Sequence, residues 1–508
     1  MLQQNFTGLL PQDGDAFDPY GFGVSRTHEL PISLMWLYEK HPRDNHETIW
    51  ETIELMFEGG RRGSRDWTTF FTSENFPKVG TPDIKTSGFT HGSTNEYKGL
   101  RYPTVLYRIT KDKSLVQQTY DAAGMVAQYH GSRSGSIVAD EHLGGHSSQR
   151  GSELCMAVEV MFSYAYLYRF HGGNAFADNA ELAAFNALPV AMSDDWWSHQ
   201  YVTQTNQPWS RNLTGDPFFN VVPYGNTFGL EPNFPCCTVN HPQGYPKYVS
   251  SSYVRYGENG IAHILLAPTS LEGEISGHSI KIECDTQYPF SGDLKYTIQS
   301  EIAFNFAVRI PEWTSSSQRP TYSMTDSDRL EHLRPGESGL QEFHVPKGTA
   351  SISIHLSPVP RVIDRNGTIS IYLGPLLYAL PISFNSSAHQ CLNWTDRKPL
   401  PESETDPHAS DHVLEPTSPW NYAIDPDTLE VERVRPEDEA LPKLVWAADG
   451  PPTVIWVDAY EIDWPVVKGT AAVTPVKLTV DGSTKERVKL VPYAAAKLHI
   501  AEFPTARV

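Results

Sequence analysis

Through the first half of the chain, apolar residues recur at three- and four-residue intervals, the spacing that gathers them on one face of a helix. Residues 32–39 and 48–57 show it, and Gly59-Gly60 is expected to end the second run. Residues 103–109 and 115–129 make a further pair, closed by Gly131. The run 153–170 is the strongest: Val158, Met161, Ala165 and Tyr168 share a face, and Gly172-Gly173 follows as a stop. Residues 175–192 predict one more helix. Helices of about 10–20 residues joined by loops predict stacked helical hairpins. No self-similarity at about 34 or 40 residues is visible, which favours a closed helical toroid over a solenoid.

After residue 258 the period shortens. Residues 261–267, 279–284, 294–298, 304–310, 351–356 and 368–373 are short β-type runs separated by turn residues, as in an all-β sandwich. Residues 385–434 are rich in Pro, Ser, Asp and Glu and are expected to form a long surface excursion. A last group of strands is predicted at 453–457, 476–480, 488–491 and 497–500. The expected organisation is multidomain: a helical catalytic domain over 1–258, a β-sandwich over 259–380, and a C-terminal β-sandwich carrying the long insertion over 381–508.

With 508 residues, 39% hydrophobic and 20% charged, the chain is globular in composition and too long for one ordinary core. Its net charge of −20 argues against nucleic acid and anionic membrane as partners. No apolar run reaches the ~18 residues of a membrane span. The start, Met1-Leu2-Gln3-Gln4-Asn5-Phe6, has no basic region or apolar core, so no signal peptide is read there. Sequons at Asn5, Asn212, Asn366, Asn385 and Asn393 are compatible with secretion, and the compartment stays open.

Cysteine changes the picture more than composition does. Three of the five cysteines fall in two polar, Gly/Pro-flanked segments: Cys155, two residues after Glu153, and the adjacent pair Cys236-Cys237. Three thiolates and a carboxylate suit zinc in tetrahedral geometry. The spacing is neither a zinc finger nor a Cys-x-x-Cys redox pattern. A structural clip, a disulfide from Cys155 to one of the pair, and a catalytic thiolate are the three readings of these residues. Positions i and i+2 of a helix point about 200° apart. Glu153 and Cys155 therefore share a metal only where both sit at a frayed N-terminus before the regular helix, and the adjacent cysteines are expected to need a non-helical bend, which Pro235 favours. The stretch 194–201 mixes polar and aromatic residues as sugar clefts do, with Trp197 and Tyr201 as candidate substrate contacts. Gln204, Asn206 and Gln207 are read either as lining that cleft or as helix caps, and Tyr245 and Lys247 as framing the cysteine pair.

Together, Gly-Ser-Glu-Leu-Cys (151–155) and Cys-Cys-Thr-Val-Asn (236–240) resemble glycoside hydrolase family 127, the β-L-arabinofuranosidase group. His91-Gly92, Phe306 to Trp313, Gly374 to Leu380 and Val491-Pro492-Tyr493 look like further signatures of that family. The resemblance implies an (α/α)6-type barrel followed by all-β sandwich domains. It also implies a zinc ion held by Glu153, Cys155, Cys236 and Cys237, with Cys236 as nucleophile. The acid/base would be a glutamate upstream of Glu153. The segment 139–146 offers Glu141, with Asp140 as its rival, and is shorter than in well-known bacterial members. Those members also carry a longer stretch before Met1, so the barrel is expected to be incomplete or reduced at its N-terminal side. His91, His142 and His146 would meet sugar hydroxyls.

The implied activity is a zinc-dependent retaining hydrolase that releases terminal β-L-arabinofuranose or a related sugar from plant-type glycans. The partner is then an oligosaccharide or glycan, and a homodimer is compatible. An unperturbed thiol, with a pKa of about 8.5, is mostly protonated at neutral pH, and zinc supplies the thiolate outright. Two other classes fit the same residues: a carbohydrate-binding or scaffold protein with structural zinc, and a polysaccharide lyase on the same toroid.

Overall fold

The computed structural model describes residues 26–63, 65–83, 99–314, 319–324, 329–437, 439–476 and 478–507. Its contacts divide the chain into two compact units, Met1–Gly131 with Glu141–His146, and Ser132–Asp140 with Ser147–Val508.

The first unit is helical. Helices α1 (Glu29–Lys40) and α2 (His46–Arg62) pack as one pair, and α3 (Tyr102–Thr110) and α4 (Ser114–His130) as another. Gly59-Gly60 does not end α2, which runs on to Arg62. Gly60 instead lets the helix approach its neighbour, since a Cβ there would lie 2.7 Å from Thr27 Oγ1. Trp67, Phe70, Phe71 and Phe76 build an aromatic core by edge and stacked contacts. The segment Glu141–His146 is tied to the rest of this unit at Leu143, whose carbonyl accepts from Thr81 N at 2.9 Å. It is tied again at Gly145, whose N–H donates to His130 Nδ1 at 3.1 Å.

In the second unit, α5 (Leu154–His171) is apolar almost all round and is buried from Leu154 to Tyr168 apart from Phe162. It stops at Gly172, where φ is +78° and the N–H reaches Tyr168 O at 2.8 Å. The helix expected over 175–192 is three pieces: α6 (Asn174–Leu182), a π-turn at Ala183–Ala187, and a short turn at Leu188–Val190. Two short helices follow, α7 (Cys236–Asn240) and α8 (Gly244–Ser250).

The strands after residue 250 form a six-stranded antiparallel sheet and a four-stranded mixed sheet. Tyr296 on one sheet meets Phe306 on the other at 5.1 Å between rings, and Tyr322 meets Phe343 at 5.2 Å, so the two sheets pack face to face. A nine-stranded sheet then takes strands from both sides of residue 380: Leu376–Pro381 pairs with Lys485–Pro492, and that with Thr453–Glu461. His499–Ile500 bridges this sheet to Asn206–Gln207.

The stretch 385–434 is not a plain excursion. Phe384–His389 and Asp411–Pro416 pair as a hairpin, and Tyr422–Arg433 is an edge strand of the large sheet. Pro, Asp and Ser are dense here because turns and a half-exposed ribbon use them, and that composition masks the alternation of a strand.

Candidate metal and catalytic site

The site begins with a two-residue strand. Ser152–Glu153 pairs antiparallel with Val202–Thr203, and Glu153 N donates to Ala139 O at 2.9 Å. Gly151 enters this strand at φ +77°, with Thr203 O only 2.6 Å from where a Cβ would sit. Glu153 is thus the extended N-cap of α5 (φ −63°, ψ 140°), and Cys155 lies in its first turn. The expectation that both residues precede the regular helix is met at Glu153 and not at Cys155, which already lies within α5.

The second arm is α7. Cys236 and Cys237 open this helix directly after Pro235, so the expected non-helical bend is absent. At a helix start the two side chains diverge by about 100°, and their sulfurs still lie 4.0 Å apart. Cys155 Sγ is 3.3 Å from Cys237 Sγ, and Cys236 Sγ is 3.6 Å from Glu153 Oε1. One donor atom from each of Glu153, Cys155, Cys236 and Cys237 falls within 4.8 Å of all the others. All five cysteines are free thiols, so the alternative of a disulfide at Cys155 is not realised. Glu153 and Cys237 are fully buried and Cys155 nearly so, while Cys236 stays partly accessible.

This donor set fits a metal. The neighbouring Cys155 and Cys237 thiols, donating to Cys236, push its pKa down to about 3 against the cost of burial. Cys155 is pushed well up, first by its hydrogen bond to Cys236, and Cys237 well up by burial. A bound cation would favour the thiolate form at all three sulfurs.

Around the cluster, Tyr201 is buried and its hydroxyl lies 3.6 Å from Cys236 Sγ. Leu154, Val158, Leu188, Met192 and Val202 form the apolar floor beneath. Thr238 on α7 donates to Leu230 O at 2.8 Å and lies 3.1 Å from His199 Nε2. Burial lowers the pKa of His199, and burial together with His199 pushes the adjacent His241 down to about 3. His241 in turn stacks on Trp196. The sequence reading did not single out His199, His241 or Trp196. The signal for Trp196 and His199 is their place in the mixed polar and aromatic stretch 194–201, and for His241 its place directly after the 236–240 run.

Other predicted residues are placed as follows. Trp197 is 43% exposed and stacks on His408 at 5.0 Å. Asp140 belongs to the same unit as the cysteines. It is fully buried, paired with Arg150, and accepts from Phe219 N at 2.8 Å. Burial raises its pKa, with Arg150 opposing. Glu141, His142 and His146 lie in the other unit, each partly exposed, with Glu141 at φ +70°. His91 lies outside the described residues. Gln204, Asn206 and Gln207 are buried in an amide network with the C-terminal strands and do not cap helices. Lys247 pairs with Glu159 at 2.6 Å, and Tyr245 OH donates to Ala184 O at 3.2 Å.

No protein-family model matches the chain, and no curated protein matches it. Solved structures do match. A GH127 β-L-arabinofuranosidase from Geobacillus stearothermophilus T6 aligns over 98% of this chain and 73% of its own, at 14% identity and a TM-score of 0.60. A second GH127 β-arabinofuranosidase aligns over 99% and 72%, at 15% identity and a TM-score of 0.62. A third structure, described as a glycoside hydrolase, aligns over 96% and 84%, at 12% identity and a TM-score of 0.62. The chain shares its fold with these glycoside hydrolases.

Proposed function

We propose that this protein is a zinc-dependent retaining glycoside hydrolase that releases terminal β-L-arabinofuranose, or a related pentose, from plant-type glycans. The observation that carries the reading is the convergence of Glu153, Cys155, Cys236 and Cys237 within 4.8 Å, with Cys236 the accessible sulfur. The fold shared with GH127 structures supports it. In this reading the helical portion belongs to an (α/α)-type barrel and the β portion to the sandwich domains that follow.

Zinc held by these four residues would keep the sulfurs deprotonated at neutral pH. Cys236 Sγ attacks the anomeric carbon, and the C–S bond forms as the glycosidic C–O bond breaks. A carboxylic acid gives its proton to the departing oxygen. The resulting carboxylate then takes a proton from water as that water attacks the same carbon and the sulfur leaves. Glu141 is our assignment for this acid/base. Asp140, the rival, has its carboxylate engaged by Arg150 and Phe219 N and serves better as an anchor. The Tyr201 hydroxyl is placed to orient the Cys236 sulfur. Trp197, His142, His146 and His91 remain the proposed sugar contacts.

The alternative is a carbohydrate-binding relative with structural zinc. The deep burial of three of the four ligands favours it, since closed four-ligand sites are usually structural. A panel of p-nitrophenyl pentofuranosides and pentopyranosides, assayed with metal content on the same sample, decides between them. Release lost on chelation and in Cys236→Ser supports the hydrolase. Stoichiometric zinc with no release from any member of the panel supports the binding protein.

A further inference from the structure

We infer that Asp411, some 175 residues downstream of the cysteine pair, is a positioning residue that fixes α7 and so places Cys236 and Cys237 against Glu153 and Cys155. The inference rests on reading those four residues as metal ligands.

Asp411 opens the second strand of the 384–416 hairpin, and it is fully buried. Its Oδ2 accepts from Tyr224 OH at 2.6 Å and from Leu392 N at 3.2 Å, and its Oδ1 accepts from Leu230 N at 3.3 Å. A buried carboxylate is costly unless it is paired or hydrogen-bonded, so these three donors hold it to one place. Gly229 completes the seat, because a Cβ there would lie 2.5 Å from Asp411 Oδ1.

From Leu230 the contact passes to the site. Leu230 O accepts from Thr238 Oγ1 at 2.8 Å, and Thr238 is one residue past Cys237 on α7. Gly229 N and O both pair with His199 at 2.9 Å, and the His199 ring reaches Thr238 from the other side. The hairpin grips the same loop at two more points. His412 N donates to Phe228 O at 2.7 Å, and the Arg397 guanidinium lies over the Tyr224 ring at 4.5 Å. α7 continues through a 3-10 turn at His241–Gln243 into α8, and both pack on α5, which holds its C-terminal side. The insertion adds a second hold at Thr238, beside the cysteine pair.

The test compares Asp411→Ala and Tyr224→Phe with Arg365→Ala, which breaks an ion pair to Glu502 elsewhere in the same unit. Each full-length protein is stripped of metal and titrated with Co2+ while the thiolate-to-cobalt absorption is recorded. The alkylation rate of Cys236 by iodoacetamide is measured on the metal-free forms by peptide mass spectrometry. Outer hydrogen-bond partners of metal ligands typically control affinity by about 10–100-fold. The expected result is a loss of about tenfold or more in Co2+ affinity, an altered absorption band and a several-fold change in alkylation for Asp411→Ala. Tyr224→Phe should move the same way by less, and Arg365→Ala should change none of the three. Asp411→Asn replaces the alanine variant if that variant does not fold. Unchanged affinity, band and alkylation in the Asp411 and Tyr224 variants overturn the inference. A wild type that takes up no cobalt overturns the metal reading instead, and the alkylation rates then decide this inference alone.

Discussion

Cys236 differs from its two sulfur neighbours in a way that supports the nucleophile role proposed for it. It is the partly accessible member of the set and the one whose thiolate the others stabilise. Cys236→Ser is expected to reduce glycoside release by about a thousandfold or more, the scale for loss of a nucleophile. Cys155→Ala should instead lose metal and lower thermal stability, since it removes a buried ligand and leaves a void. Metal analysis and thermal unfolding on the same two variants check the contrast. Tyr201→Phe should retain metal and lower kcat by about tenfold, because it removes only the hydroxyl beside Cys236 Sγ. The candidate ligand set was legible in the sequence because cysteine is rare in this chain and its chemistry is narrow. The position of the Tyr201 hydroxyl beside Cys236 Sγ was not, because it depends on strand Val202–Thr203 lying against Ser152–Glu153.

At the scale of elements, α4 and the segment Glu141–His146 are joined by a histidine whose protonation state can be read from its contacts. His130 Nε2 donates to Pro77 O at 2.7 Å, while Nδ1 accepts from Gly145 N at 3.1 Å, which requires the neutral ring. Burial, with a smaller contribution from His146, pushes its pKa down to about 4, against about 6.5 in the unfolded chain. A depressed pKa means the unfolded state binds the proton more readily. The stability that His130 contributes is therefore complete above about pH 6.5 and is lost as the pH falls toward about 4, on the order of 3 kcal/mol in total. Urea unfolding from pH 7 to 4 should show this loss, and His130→Gln should flatten it. Element types were mostly readable from periodicity, whereas boundaries were not. Gly59-Gly60 looked like a stop and lies within the helix, where close contact with Thr27 rewards the missing side chain of Gly60. The hairpin at 384–416 looked like a loop because its burial comes from the segment it docks on, not from its own apolar pattern.

Across the whole molecule, two buried polar junctions tie distant stretches of the second unit. Asn206 donates to Glu502 O and Thr474 Oγ1 at 2.9 Å and accepts from Ala501 N and Glu502 N at 3.0 Å. Asn206→Leu should cost roughly 3 kcal/mol, because several buried partners lose their hydrogen bonds at once. Arg309, fully buried in the four-stranded sheet, pairs with Asp178 and Glu181 on α6. Arg309→Met leaves two carboxylates without their cation and should cost about 3–5 kcal/mol. Denaturant midpoints, compared with a surface control such as Lys398→Met, check both.

By itself the sequence determined the helix-then-strand order and the identity of the metal-ligand candidates. Hydrophobic period and side-chain chemistry are local properties, and a single chain displays them directly. Tertiary structure alone decided which side chains meet. It brought residues 153–155 and 236–237 together, put Tyr201 beside the partly accessible sulfur, turned Gln204, Asn206 and Gln207 into a seam rather than a cleft, and brought Asp411 to Leu230. Those encounters follow from strand register and from where buried polar groups find partners, and both are set by segments 35 to 296 residues apart.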